Sequence, residues 1–309
     1  MRNSYLILGL ILIALFYNKE SYSQQDPQYT QYMYNMNVVN PAYAGSKETL
    51  SITALFRDQY TGIEGAPRTF TLSGHSPIGN GLGLGFSAIN DEIGPVEETN
   101  AYADVSYTID FDNDHHLAFG VKAGATFQDI GFLSLDLQDA DGSNGPRDIA
   151  FRSNSSETFF NVGAGFFYYT DNWYVSLSVP NFLSASYLDV NGREFGTEEQ
   201  HFFATAGYVF QLNDDIKFKP SVFVKSEFNS VVSYDVNANF LFFEQFEVGA
   251  SYRAEDSFSG LVGFRPTDWV QVGFAYDSSV SDINEPSYEA FVTFNILFKK
   301  KTYLSPRYF

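Results

Sequence analysis

Thirteen residues, His116 to Gln128, read HLAFGVKAGATFQ, and their side chains alternate with a period of two. Leu117, Phe119, Val121, Ala123, Ala125 and Phe127 fall on one face of a strand, and His116, Ala118, Gly120, Lys122, Gly124, Thr126 and Gln128 on the other. A soluble sheet buries the first face and a membrane barrel turns it to lipid, so one strand does not decide between them. The pattern recurs, however, along nearly the whole chain. Alternating segments lie near residues 48–57, 67–75, 82–90, 98–110, 115–128, 157–169, 173–179, 201–212, 215–226, 231–242, 246–253, 258–265, 269–277 and 287–298. That is about fourteen strands, many close to the ~9–11 residues that cross a bilayer at a tilt.

The connections separate the two architectures. Those after the second, fourth, sixth, eighth, tenth and twelfth strands are short: SPIGNG, DNDH, TDN, NDD, FEQ and PTD. Several after odd strands are long, namely 58–66, 129–157 and 180–200. Short turns on one rim and long loops on the other are the pattern of an outer-membrane barrel, whose even strand number returns both ends to the periplasmic side. Trp173 and Trp269 follow short turns and, with Tyr168, Tyr169, Tyr174, Phe242, Phe243 and Phe246, are expected in an interfacial girdle at that rim. The other face is lean: Gly83, Gly85, Gly120, Gly124, Gly163, Gly165, Gly249 and Gly273 share it with Ser87, Lys122, Asn161, Ser251 and Gln271. Small residues there leave space inside a curved wall for a plug or a ligand.

Composition agrees with a membrane wall. The chain has 21 Tyr and 32 Phe, while charged residues are 18% against the ~25% of soluble domains. It has no cysteine, which removes disulfides, zinc thiolates and thiol chemistry. Residues 1–23 combine Arg2, an apolar run from Tyr5 to Tyr17 and the small-residue site Ser21-Tyr22-Ser23, so they read as a cleaved signal peptide. About 13 apolar residues fall short of the ~20 of a membrane anchor. The formal charge of −19 becomes −20 once Arg2, Lys19 and Glu20 leave with the signal, which argues against a nucleic-acid partner.

Candidate chemistry is sparse. GNGLGLGF has strand spacing and no following helix, so it is not a nucleotide loop. The four histidines lack zinc spacing, and His115-His116 follows a polar turn; no G-x-S-x-G elbow is present. No cofactor is expected, nor any enzymatic activity. Asp136, Asp139 and Asp141 gather hard oxygens in a long loop, a weak calcium candidate beside the plainer reading of a polar loop. That loop, with Asp189, Glu194, Glu198 and Glu199, gives an acidic long-loop rim, whereas Lys299, Lys300, Lys301 and Arg307 form a basic tail.

One segment follows neither period. Residues 24–46 begin QQDPQYTQYMYNMNVVNPAYAG, rich in Gln, Asn and Tyr, and FRDQYTGIEGAPRTF follows closely. Gln25, Asp26, Pro27, Gln28, Tyr29, Asn35, Asn40, Pro41, Ala42, Tyr43, Ala44 and Gly45, then Arg57, Gly62, Gly65, Ala66 and Pro67, together with the terminal SPRYF, resemble the PorP/SprF family of type IX secretion system membrane proteins. Tyr60 departs from the pattern, standing where that family is expected to have Trp. The resemblance implies a Bacteroidetes outer-membrane barrel, FadL-like in shape. It also implies partners: secreted cargo carrying a type B C-terminal sorting domain, such as gliding adhesins, and periplasmic components of the secretion machinery. A FadL-like transporter or porin for a small solute is the alternative.

The organisation expected is therefore a signal peptide (1–23), a segment that plugs the lumen or docks a periplasmic partner (24–46), an all-β transmembrane barrel (47–298) and a basic periplasmic tail (299–309). Amides and tyrosines suit a polar lumen because they hydrogen-bond without charge. Both termini are expected in the periplasm, with the long loops at the cell surface.

Overall fold

The computed structural model describes residues 29–111, 114–132, 154–183, 186–190, 193–197, 200–227, 232–280 and 285–296. Seven strands come first: β1 (Leu50–Asp58), β2 (Arg68–Gly79), β3 (Leu82–Ile93), β4 (Val96–Phe111), β5 (His115–Ile130), β6 (Ser155–Tyr169) and β7 (Trp173–Val179). A separate two-stranded hairpin, β8 (Ser186–Val190) with β9 (Arg193–Thr197), interrupts the wall. The wall resumes with β10 (His201–Tyr208) and its short continuation β11 (Phe210–Gln211). It then runs through β12 (Ile216–Glu227), β13 (Ser233–Phe242), β14 (Phe246–Arg253), β15 (Ser257–Thr267), β16 (Val270–Ser279) and β17 (Ser287–Ile296).

Each strand of the wall pairs antiparallel with its neighbours. β10 bridges β7 and β12, and β1 pairs with β17 from Leu50↔Ile296 to Asp58↔Tyr288. With β10 and β11 counted as one interrupted strand, this is a closed fourteen-stranded barrel. Closure satisfies the backbone hydrogen bonds of the outermost strands, which is what lipid demands. The interruption has a local cause: Pro220 in β12 has no N–H to offer the residues opposite, and Val209 bonds Asn172 O on the other side instead.

The wall is apolar outward and polar inward. Along β5, Phe119 (50% exposed), Val121 (59%) and Phe127 (47%) face out, while Gly120, Lys122, Thr126 and Gln128 are buried. The same parity exposes Phe86, Phe160, Val236, Val248, Phe258 and Val262 on other strands and buries Thr71, Ser87, Asp104, Asn237 and Thr293. Water would reverse this arrangement; hydrocarbon stabilises it. The outward set forms an apolar band of the kind a membrane-crossing barrel presents to lipid, and no helix among the described residues is long and apolar enough to cross a membrane.

The girdle reading needs one correction. Outward Tyr168 packs tilted against Trp173 (centroids 5.3 Å apart) and its hydroxyl meets His115 Nδ1 at 2.8 Å, while Trp269 stacks over Phe294. Tyr169 and Tyr174, however, are buried inside the lumen beside Phe167. Tyr168 and Tyr169 are consecutive in a strand, so they point to opposite faces and only one can meet lipid. Two stretches also differ from the loops expected of them: 180–200 contains the β8–β9 hairpin, and β2 runs on to Gly79, leaving Asn80-Gly81 as the turn where SPIGNG was expected.

Candidate functional site: the segment inside the barrel

Residues 29–46 lie inside the ring. Three short helical turns, Tyr32–Tyr34, Met36–Val39 and Pro41–Tyr43, fold this stretch into a compact rod. Asn40 ends one turn and caps the next: its Oδ1 accepts from Ala42 N at 2.8 Å, and Pro41 supplies the fixed φ of a first helical position. Gly45 leaves the last turn at φ 76°, and the chain then passes to the start of β1. Tyr29, Tyr32, Met33, Met36, Val38, Val39, Ala42 and Tyr43 are all buried, so the hydrophobic core of this protein is the content of its barrel.

The rod runs from one end of the lumen to the other. Its first residues sit under the long-loop rim. Glu289 accepts from the backbone N–H of both Thr30 (2.9 Å) and Gln31 (2.7 Å), and Asp277 accepts from the Thr30 hydroxyl (2.7 Å). Arg57 binds both carboxylates, at 2.8 Å to Asp277 and 3.1 Å to Glu289, and donates to Thr30 Oγ1. Arg253 grips Asp235 through Nε and Nη2 and donates to the Tyr29 carbonyl at 3.2 Å. These five charged residues lie at or within two residues of the strand ends that lead into the connections of that rim. Tyr60, at φ 47° in the β1–β2 connection, is half-buried above them; desolvation, then Asp256, holds its hydroxyl above the ordinary range.

Midway down, backbone replaces charge. Lys122 donates to Val38 O (2.8 Å), Ser178 to Val39 O (2.8 Å), and Asn40 Nδ2 to Phe166 O (2.9 Å) and Ser176 Oγ (2.6 Å). Ser73 donates to Asn35 Oδ1, and Asn37 donates to Asp104. The glycines of the lean face explain the fit. A Cβ on Gly83 would overlap the Ala44 carbonyl, on Gly120 the Ala42 amide, and on Gly165 the Asn40 side chain. At the short-turn end Gly45 N donates to His75 Nδ1, and Tyr43 packs edge-on against His75 and Phe167.

Tyr32 and Tyr34 reach the remaining strands. Tyr32 donates to Ser221 and accepts from Asn237, and Tyr34 stacks on Phe291. Burial pushes both hydroxyls well above their ordinary range, with Tyr174 adding to the effect at Tyr32 and Glu247 at Tyr34, so both serve as neutral hydrogen-bonding groups. Near the short-turn end the Lys219–Glu247 pair, Arg265 and half-buried Lys47 collect; desolvation, then Arg265 and Lys219, push the Lys47 ammonium down to about 8.

Of the residues singled out in the sequence, Tyr29, Asn35, Asn40, Pro41, Ala42, Gly45 and Arg57 converge in this lumen. Tyr60, Gly62, Gly65 and Pro67 form the loop above it, where Gly94 N donates to Gly65 O and Gln59 N to Pro67 O. Gln25, Asp26, Pro27 and Gln28, the candidates Asp136, Asp139 and Asp141, and the tail Lys299, Lys300, Lys301 and Arg307 lie outside the described residues. Asp277, Glu289, Arg253 and Asp235 were not singled out. Their signal was present: each is a charge on the lumen parity of an alternating strand, as Glu289 is beside Phe291 and Thr293.

No curated protein sequence matches the chain. Similar solved structures include the outer membrane protein Omp33 of Acinetobacter baumannii (11% identity, 82% of this chain and 100% of that one, TM-score 0.46). The toluene transporter TbuX of Ralstonia pickettii is similar too (10%, 85% and 93%, 0.48), as is a FadL homologue of Pseudomonas aeruginosa (11%, 83% and 92%, 0.47). Likeness this distant says nothing of function. The family model is of another order, because it covers the rod and nearly all of the wall together: the type IX secretion system membrane proteins PorP/SprF match over residues 21–294, and the chain belongs to that family.

Proposed function

We propose that this protein is a non-enzymatic outer-membrane barrel of the type IX secretion system that binds secreted cargo at its long-loop rim, through the cargo's C-terminal sorting domain, and works with periplasmic components of the machinery. In this reading the short turns face the periplasm and the long loops the cell surface. The observation that carries it is the rod: residues 29–46 bond to strands all around the wall, which suits a closed binding platform better than a conduit. Family membership supports a secretion role rather than solute uptake.

The test is affinity purification of the tagged protein from its native outer membrane in mild detergent, with mass spectrometry of what accompanies it, beside conductance in planar bilayers. A silent barrel that brings down a large secreted protein with a C-terminal sorting domain and periplasmic machinery is the expected result. Recovery of the barrel alone from actively secreting cells, with steady ion conductance, would replace this reading with a transporter or porin. Deleting residues 24–37 is expected to open a conductance or to lose the periplasmic partner.

A further inference from the structure

The rod has a direction, and it is opposite to the one a periplasmic N-terminus needs. Its contacts descend the wall in chain order. The Tyr29 carbonyl accepts from Arg253 (3.2 Å), the last residue of β14, and the Tyr29 hydroxyl bonds Thr71 (2.9 Å), the fourth residue of β2. Thr30 and Gln31 donate to Glu289, the third residue of β17. All three positions lie at strand ends that meet the long-loop rim. Val38 then meets Lys122, halfway along β5. Ala44 accepts from Ser106 toward the short-turn end of β4, and a Cβ on Gly45 would overlap Gly83, which follows the Asn80-Gly81 turn. The chain thus passes down the lumen from the long-loop rim to the short-turn rim and enters β1 there.

We infer that the chain before Tyr29 leaves the lumen at the long-loop rim, so that the mature N-terminus stands with the long loops on the face that meets cargo, and not in the periplasm as the sequence alone suggests. This rests on the orientation and cargo reading proposed above and adds a segment to that face. Reach favours it. Cleavage after Ser23 leaves five residues ahead of Tyr29, at most about 18 Å when fully extended. The apolar band of such a barrel is about 25 Å tall, so those residues cannot return to the short-turn rim. Nor is there a passage for them. Tyr32, Met36, Ala42 and Tyr43 are almost fully buried, and the void left beside the rod, about 100 Å³, has room for a few waters and not for a second pass of the chain. The top of the rod is also the end held by charge-assisted bonds, to Glu289, Asp277 and Arg253, so it is fixed where the upstream chain emerges.

The absence of native cysteine allows a direct test in living cells. Three single substitutions are made in the full chain: Gln25→Cys, Glu255→Cys in the exposed β14–β15 turn of the long-loop rim, and Gln245→Cys in the exposed β13–β14 short turn. Intact cells and cells with permeabilised outer membranes are treated with a maleimide on a polymer too large to cross the membrane, and labelling is read as a gel shift of the folded barrel. Gln25→Cys and Glu255→Cys are expected to shift on intact cells, and Gln245→Cys only after permeabilisation. Labelling at position 25 that follows position 245 would overturn the inference while keeping the orientation. So would a thiol at position 25 that is unlabelled in both conditions, because the segment would then stay inside the lumen. If positions 245 and 255 exchange behaviour, the orientation itself fails; position 25 siding with 255 would still uphold exit at the long-loop rim, and siding with 245 would overturn it.

Discussion

The two sides of the lumen hold the rod by different physics. Along β3 to β6 the wall is cut back to glycine beside one buried charge pair, Asp104 and Lys122: the backbone of Pro41 to Gly45 rests almost directly on Gly83 and Gly120, and the Asn40 side chain on Gly165. Along β1 and β13 to β17 the wall instead presents buried charge, in Arg57, Asp235, Arg253, Asp277 and Glu289. The first contact is made mainly by shape, with Lys122 as its one charged donor to the rod, and tolerates no added atom at its glycines. The second is made by charge-assisted hydrogen bonds, which fix direction and penalise an unpaired member heavily. A rod held by shape alone could slide along its axis; one held by charge alone could tilt. Together they leave a single position.

The comparison can be broken on the charged side first. Arg57→Met leaves Asp277 and Glu289 without their shared cation and is expected to cost about 3–5 kcal/mol, measured by urea unfolding of the barrel in vesicles. A cost near zero would mean that Thr30 and Gln31 hold the carboxylates unaided. The frame common to both sides is tested from outside: Phe119→Arg, placed in lipid, is expected to cost about 2–4 kcal/mol. Tolerance of that arginine would invert the faces and remove the lumen altogether.

The glycine side should yield less. Gly120→Val forces a side chain into the Ala42 backbone and is expected to cost about 1–3 kcal/mol, with the rod displaced and the barrel newly conductive. Stability unchanged and conductance absent would show that the rod can shift at that level. Asn40→Ala removes a cap and three bonds to β6 and β7, for about 1–2 kcal/mol. Lys47 gives the smallest effect. It is protonated at neutral pH, where its folded form resists the charge more than its unfolded form does, so wild-type stability should rise as pH passes from about 8 toward the ordinary 10.5. Lys47→Met should remove that rise, and identical pH slopes in the two proteins would show that the ammonium is solvated.

Much of this was legible in the chain, for identifiable reasons. Alternation in residues 116–128 fixes which side chains share a face, and the short-turn, long-loop rhythm fixes the architecture, because both depend on period and not on distance. Tyr169 and Tyr174 went astray where parity was set aside in favour of composition. The rod is harder to read. Asn40-Pro41 announces a local cap, yet the contact of Thr30 with Glu289 joins residues at opposite ends of the chain, and no local pattern encodes that pairing. Arg57 drew notice through its motif, whereas its partners Asp277 and Glu289 sit in strands whose alternation accounts for them without further role.

The seam of the barrel, where β1 meets β17, is also where the rod is anchored, so the two closures share one place. The glycines across the lumen leave no spare atom beside the rod, and the lumen is filled only with both in position. Thr30 and Gln31 find their acceptor on Glu289 of β17, with Arg57 of β1 bound to the same carboxylate. A chain lacking β17 would lack both the closing edge and the group that seats the rod, so Glu289 ties the closure of the cylinder to the seating of what it contains.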